Sequence, residues 1–179
     1  MNIETKIPLL EDILSQWQTE LGDDYLGYKN HVYRMIHFCF ALHPCNDEER
    51  QKIIIAACFH DLGVWTEHTA DYLPPSIALA RNYLQQQDLQ QWTDEIALMI
   101  DMHHKIRRYQ DARYPLVEVF RKGDWVDFSL GGIKQGLSKT DIELVKSFFP
   151  NEGFHKGLAQ QAKAWFSKHP LTPPPFIKW

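Results

Sequence analysis

The stretch IIIAACFHDLG, Ile53 to Gly63, is apolar for seven residues, then sets His60 beside Asp61 and closes on a glycine. An ionised Asp is seldom buried without a partner, so the pair either lies at a surface or faces something positive. Just upstream, Asn46-Asp47-Glu48-Glu49 reads as a helix start, with a capping side chain followed by acids in the first turn. The stretch is therefore the second half of a helix that delivers an imidazole and a carboxylate at its end.

Working outward, the pattern is helix after helix. Pro8–Leu21 carries Leu10, Ile13, Leu14, Trp17 and Leu21 at helical spacing. A second helix runs from about Tyr25 to His43 and stops at Pro44. Gly63–Leu73 reads as a loop, and Pro74-Pro75-Ser76 opens a helix to about Gln87. Thr93 caps a helix to about Arg107, and Pro115 opens one to about Leu130 that Gly131-Gly132 breaks. Ser138 or Thr140 to Phe149, and Glu152 to Lys168, complete the set. No segment shows sustained period-two alternation. The expectation is an all-α helical bundle forming one domain over residues 1–179, with a proline-rich extended segment at 170–179.

With 44% hydrophobic and 23% charged residues, the chain has a globular composition. The net charge of −4, with no run of Lys or Arg, argues against a nucleic-acid polymer as partner. No signal-peptide pattern and no apolar run of membrane-spanning length is present. Cys39, Cys45 and Cys58 lack metal-site spacing and read as free thiols of a cytoplasmic protein. The sequence leaves the oligomeric state open, a homodimer included.

Three further helices aim an ionisable residue inward. His31 shares a stripe with Met35, Phe38 and Leu42; His103 shares one with Ile96 and Ile100, with His104 at its edge; Asp124 shares one with Val117, Phe120 and Phe128. A lone inward His or Asp is usually a satisfied core residue. Several together favour convergence, because each would otherwise need its own compensation. Two imidazoles and two carboxylates suit one divalent transition ion, Mn, Fe, Co, Ni or Zn, and suit Mg less well.

The order His31, His60-Asp61, Asp124, all on helices, resembles the HD-domain superfamily of metal-dependent phosphohydrolases. The segments NHVYRM, AACFHDLG and KGDWVDFSLG carry the resemblance, which covers about residues 28–132. It implies that His31, His60, Asp61 and Asp124 are metal ligands, and that the activity is hydrolysis of a small phosphomonoester or phosphodiester, often a nucleotide. The similarity also implies that His103-His104 resemble the extra histidines of members with two metals.

In that chemistry Asp61 has a second role, its free oxygen accepting a proton from water. Glu67 is either a base or a solvated loop acid. His103 is either a catalytic, substrate-facing group or a core residue. Arg34, one turn from His31, either meets a phosphate or holds Asp61 or Asp124. Lys105 and Arg107 follow His103-His104 either as further phosphate-binding candidates or as a solvated helix end, and Asp127, at the edge of its stripe, has either a substrate-side or a helix-packing role. Two alternatives stay open: a non-catalytic metal- or nucleotide-binding sensor, and a di-iron oxygenase.

Overall fold

A computed structural model describes all of residues 1–179 and is helical throughout, with no β-strand. Helices α1 (Pro8–Ser15), α2 (Gln18–Leu21), α3 (Tyr25–Leu42), α4 (Asp47–Phe59), α5 (Gly63–Thr66), α6 (Leu73–Gln86), α7 (Thr93–Met102), α8 (Pro115–Phe128), α9 (Lys139–Phe148) and α10 (Phe154–Lys168) follow in order. Single 3-10 turns precede α3 and α7. No helix is long and apolar enough to cross a membrane.

The helix bounds follow local chemistry. Asn46 and Glu49 form a reciprocal capping box, each side chain accepting the other's main-chain N–H at 2.9 Å. Ser138 caps α9, and prolines stand in the first turns of α1, α6 and α8, where no N–H is needed. Thr93 does not cap α7: it is the first helical residue, after Trp92. That helix ends at Met102, so His103 and His104 lie on the turn that follows. The expected helix Pro8–Leu21 is split by a turn at Gln16-Trp17, and the expected Gly63–Leu73 loop opens with the one-turn α5.

The quoted stretch forms the hub. Ile53 to Phe59 are all buried, so α4 is apolar on every side in its second half. It packs against α1, α3, α6, α7 and α8 and belongs to a core of 34 buried residues. Its end is satisfied without a glycine cap. The Tyr28 hydroxyl donates to the Cys58 carbonyl at 3.0 Å, and His60 Nδ1 donates to the Ala57 carbonyl at 2.7 Å. Gly63 does not terminate the chain direction as a turn glycine would. It allows close approach: a Cβ there would run into the Tyr72 carbonyl, and its N–H donates to Ser76 Oγ at 2.9 Å. The start of α6 is thereby seated against the doublet.

The tightest helix pair is α3 with α8. At their crossing, a Cβ on Gly123 would collide with the Cys39 sulfur and stand 3.1 Å from the Met35 carbonyl. Gly123→Ala should therefore destabilise the fold by about 1–3 kcal/mol, measurable by urea denaturation. A neutral result would show that the two helices can separate without cost.

His37, unremarkable in sequence, anchors the N-terminal segment. Its Nδ1 donates to the Tyr33 carbonyl at 2.7 Å, and its Nε2 accepts the Glu4 N–H at 3.0 Å. Burial lowers its pKa below the ordinary 6.5. The unfolded chain then binds a proton at higher pH than the folded one, so this contribution to stability is present above 6.5 and lost as pH falls below it. His37→Gln, which keeps an acceptor for Glu4, should flatten the pH dependence of the thermal midpoint between about pH 7 and 5.

Candidate metal centre

Five helices bring their ionisable groups to one point. α3 contributes His31 and Arg34, the end of α4 His60 and Asp61, the turn after α7 His103 and His104, and α8 Asp124 and Asp127. The fifth, α6, adds Tyr72 from the residue before its start. All are buried, none more than 6% exposed.

The imidazoles are oriented by their Nδ1 atoms. His31 Nδ1 donates to Asp127 Oδ2 at 2.6 Å, His60 Nδ1 to the Ala57 carbonyl at 2.7 Å, and His103 Nδ1 to the Ile100 carbonyl at 2.7 Å. These acceptors assign the proton to Nδ1 and leave each Nε2 with a lone pair facing inward. His31 Nε2 and His60 Nε2 stand 3.0 Å apart. Two lone pairs at that distance repel unless a cation or a proton lies between them.

The carboxylates close the arrangement. Asp61 Oδ2 lies 3.2 Å from His60 Nε2 and 3.8 Å from His31 Nε2, while its Oδ1 lies 3.4 Å from His103 Nε2. Asp124 Oδ1 is 3.9 Å from His31 Nε2 and its Oδ2 is 3.5 Å from His104 Nδ1. His104 Nε2 meets the Tyr72 hydroxyl at 2.8 Å. Two donor groups result, His31–His60–Asp61 and Asp61–His103–His104, and they share Asp61. These buried clusters could hold a metal ion.

Three atoms here, Asp61 Oδ1, His103 Nε2 and Asp124 Oδ2, are buried without a hydrogen-bond partner. Such orphans are costly and call for an explanation. A third trio, His43, Cys45 and Glu49, is also compact enough for an ion, but its groups are already engaged. Glu49 completes the capping box, and Cys45 Sγ donates to the His43 carbonyl at 3.3 Å. Convergence with unmet valence is confined to the interior cluster.

Charge points the same way. Arg34 neutralises Asp127: Nε donates to Oδ1 at 2.6 Å and Nη2 to Oδ2 at 2.9 Å. Asp61 and Asp124 remain, two carboxylates with no fixed cation. Burial is the largest influence on Asp124 and, with the nearby Asp61 and Asp127, pushes it up to about 7 despite His103 and His60. Burial drives His31 down to about 4, keeping it neutral. For His60 burial is again the largest influence and opposes the charge, but Asp61 and Asp124 outweigh it and the pKa rises. Raised pKa values on Asp124 and His60 are what two buried carboxylates without a fixed cation produce, and a metal ion at this point would meet both the carboxylates and the inward lone pairs.

The structure brings together His31, His60, Asp61 and Asp124, and adds His103 with His104. Arg34 and Asp127, expected toward a phosphate, face each other instead. Arg34 Nη1 also donates to the Phe149 and Pro150 carbonyls at 3.0 and 3.1 Å, so each of its nitrogens is engaged internally. Asp127 fixes His31 rather than facing substrate. Glu67 is exposed in a groove with Trp17 and Trp65 and is not drawn into the cluster. Lys105 and Arg107 sit on the turn beyond His104, Arg107 exposed and Lys105 reaching the Trp179 main-chain oxygen. Tyr72 was invisible to periodicity, since it lies in the turn before Leu73-Pro74.

Comparison with protein-family models, curated proteins and solved structures finds no match.

Because burial pushes Asp124 up to about 7 and the His60 pKa is raised, ion uptake should release protons. Titration with Mn²⁺ in buffers of different ionisation enthalpy should show proton release near pH 7, and affinity should rise with pH. Uptake without release would contradict the charge assignment.

Asp124→Asn should abolish ion uptake yet raise the metal-free thermal midpoint. The raised pKa of Asp124 means its destabilising effect is absent at pH below 3.8 and grows as pH rises toward about 7. The midpoint gain over wild type should grow across the same range. Asp127→Asn strands Arg34 and loosens His31, and should cost about 3–5 kcal/mol and weaken metal affinity about 10–100-fold without removing it. Equal metal loss in both variants would merge their roles.

Proposed function

We propose that this protein is a metal-dependent phosphohydrolase of the HD-domain type, acting on a small phosphomonoester or phosphodiester, with nucleotides the first class to test. The observation that carries the reading is the convergence of inward lone pairs and two uncompensated carboxylates on one buried point, from residues in the order His31, His60-Asp61, Asp124. The free Cys39, Cys45 and Cys58 suit a reducing cytoplasm.

His31, His60, Asp61 and Asp124 would hold the ion. His103 and His104, sharing Asp61, give room for a second. The chemistry supplied there by a divalent ion is Lewis-acid polarisation of a phosphoryl oxygen and acidification of water. The chain's own groups do the rest. Asp61 Oδ1, without a hydrogen bond, would accept a proton from water. Asp127 and the Ala57 and Ile100 carbonyls hold the imidazoles in one tautomer, so donor atoms need no reorientation. The aromatic walls exclude bulk water, which strengthens every charge interaction inside. Phe154 stacks on His31 at 4.1 Å and Phe120 meets His60 edge-on at 5.9 Å.

The test is a screen of phosphomonoesters and phosphodiesters with Mn, Co, Ni, Mg and Zn in turn. Metal-dependent phosphate release that His60→Ala abolishes supports the reading; no turnover with any ion or ester overturns it. The sharing of Asp61 by two donor groups favours a second reading, oxidative chemistry at a di-iron centre. Oxygen consumption by the iron-loaded protein, with no phosphate release, would select it. His103→Gln should reduce turnover while leaving an ion at His31–His60–Asp61. Loss confined to thermal stability would make His103 a packing residue.

A further inference from the structure

An enclosed centre needs a way in. Six aromatic rings flank its histidines. Tyr28 belongs to α3, Phe120 and Phe128 to α8, Phe154 to α10, and Tyr72 adjoins α6. These five are set by helices that pack into the core. The sixth, Phe176, is not on a helix. Its ring lies 5.0 Å from His104 and 5.3 Å from Tyr72, and it comes from the irregular segment 170–179.

That segment is lightly attached. It crosses to α7's end through one main-chain-to-main-chain hydrogen bond, Ile106 N–H to the Lys178 carbonyl at 2.8 Å, within a single Lys105–Lys178 bridge; the Lys105 ammonium also reaches the Trp179 main-chain oxygen, and Pro174 is the one buried residue of the segment. Lys178 Nζ pairs with Asp101 at 2.8 Å, with both side chains partly exposed, where ion pairs hold weakly. Near α10, Trp165 Nε1 donates to the Thr172 carbonyl at 2.9 Å, and Leu171 is 96% exposed. Pro170, Pro173, Pro174 and Pro175 stiffen the segment while removing the N–H groups a sheet edge or helix would need. A stiff strip with few bonds, hinged beside an exposed residue, opens as a unit before the helices do.

We propose that residues 170–179 form a strap that lifts from the Asp101–Ile106 turn, withdrawing Phe176 from His104 and Tyr72 and opening the metal centre to ions and substrate. The observation beneath it is that Phe176 is the one wall of the centre that no helix holds. Closed, the strap seals the His104 side; open, it exposes the half of the cluster built from Asp61, His103 and His104. Lys178 is the latch, and its partner Asp101 lies two residues before His103. Access rests on the reading of the cluster as a metal centre; the mobility of the strap does not.

The first measurement is amide hydrogen exchange on the metal-free protein. The Ile106 N–H should exchange far faster than the Ile100 N–H inside α7, and Phe176→Ala or Lys178→Ala should speed it about tenfold further. Ile106 as protected as Ile100, and unmoved by either variant, overturns the strap. The second is the rate at which a chelator strips Co²⁺ from loaded protein. Both variants should lose the ion about tenfold faster, while a Lys105→Cys/Lys178→Cys disulfide across the bridge should slow loss and regain the normal rate on reduction. Equal rates in the stapled and reduced forms overturn the access role. If no form takes up metal, the metal reading fails, and amide exchange alone decides the strap.

Discussion

Asp127 is gripped from two sides, by the Arg34 guanidinium and by His31 Nδ1, and the rest of the centre is built around that grip. It joins α3 to α8, with Gly123 supplying the clearance for their close approach one turn away. It fixes the His31 tautomer and thereby aims Nε2 at the interior. It also sets the rotation of α8, so that Asp124 points at the cluster while Asp127 does not. Arg34 extends the tie to the Phe149 and Pro150 carbonyls, after α9, so a third part of the chain depends on the same carboxylate. A buried charge pair with every donor engaged is a specifying contact more than a stabilising one.

Against that satisfied pair stand the unsatisfied atoms a few ångströms inward. A fold that closes its helix ends with a reciprocal capping box, and gives Tyr28 an acceptor at the end of α4, nevertheless leaves three polar atoms orphaned at one place. Local rules are broken where function is expected to need it. Burial of α4 on all sides brings His60 and Asp61 inside; the same burial makes them expensive without a cation.

Helical periodicity made part of this legible. His31, His103 and Asp124 lie inside or at the end of regular helices, where the 3.6-residue repeat assigns a face, and the His60-Asp61 doublet ends a run too apolar to lie outside. The same repeat put Asp127 near the inward face but could not reveal that Arg34 would meet it, because that depends on the distance between α3 and α8. Glu67, Lys105 and Arg107 lie in turns, where periodicity assigns no direction; only their place in the sequence, after the His60-Asp61 doublet and after His103-His104, drew attention to them. Tyr72 and Phe176 sit near prolines, outside any stripe. Their approach to His104 comes from how α6 and the 170–179 segment fold back, which no local pattern encodes.

The doublet's position at the end of a helix has a consequence for the sequence of events. α4 and α7 both finish at the cluster, with His60 and His103 as their capping residues. Helix C-termini carry partial negative charge, and here two of them join the Asp61 carboxylate. The local field therefore repels anions from the bare centre and draws cations in. On the proposed reading, a negatively charged ligand would find an attractive potential there only once a cation had arrived. Electrostatics would then order assembly, cation first and anion second, without any moving part to enforce it.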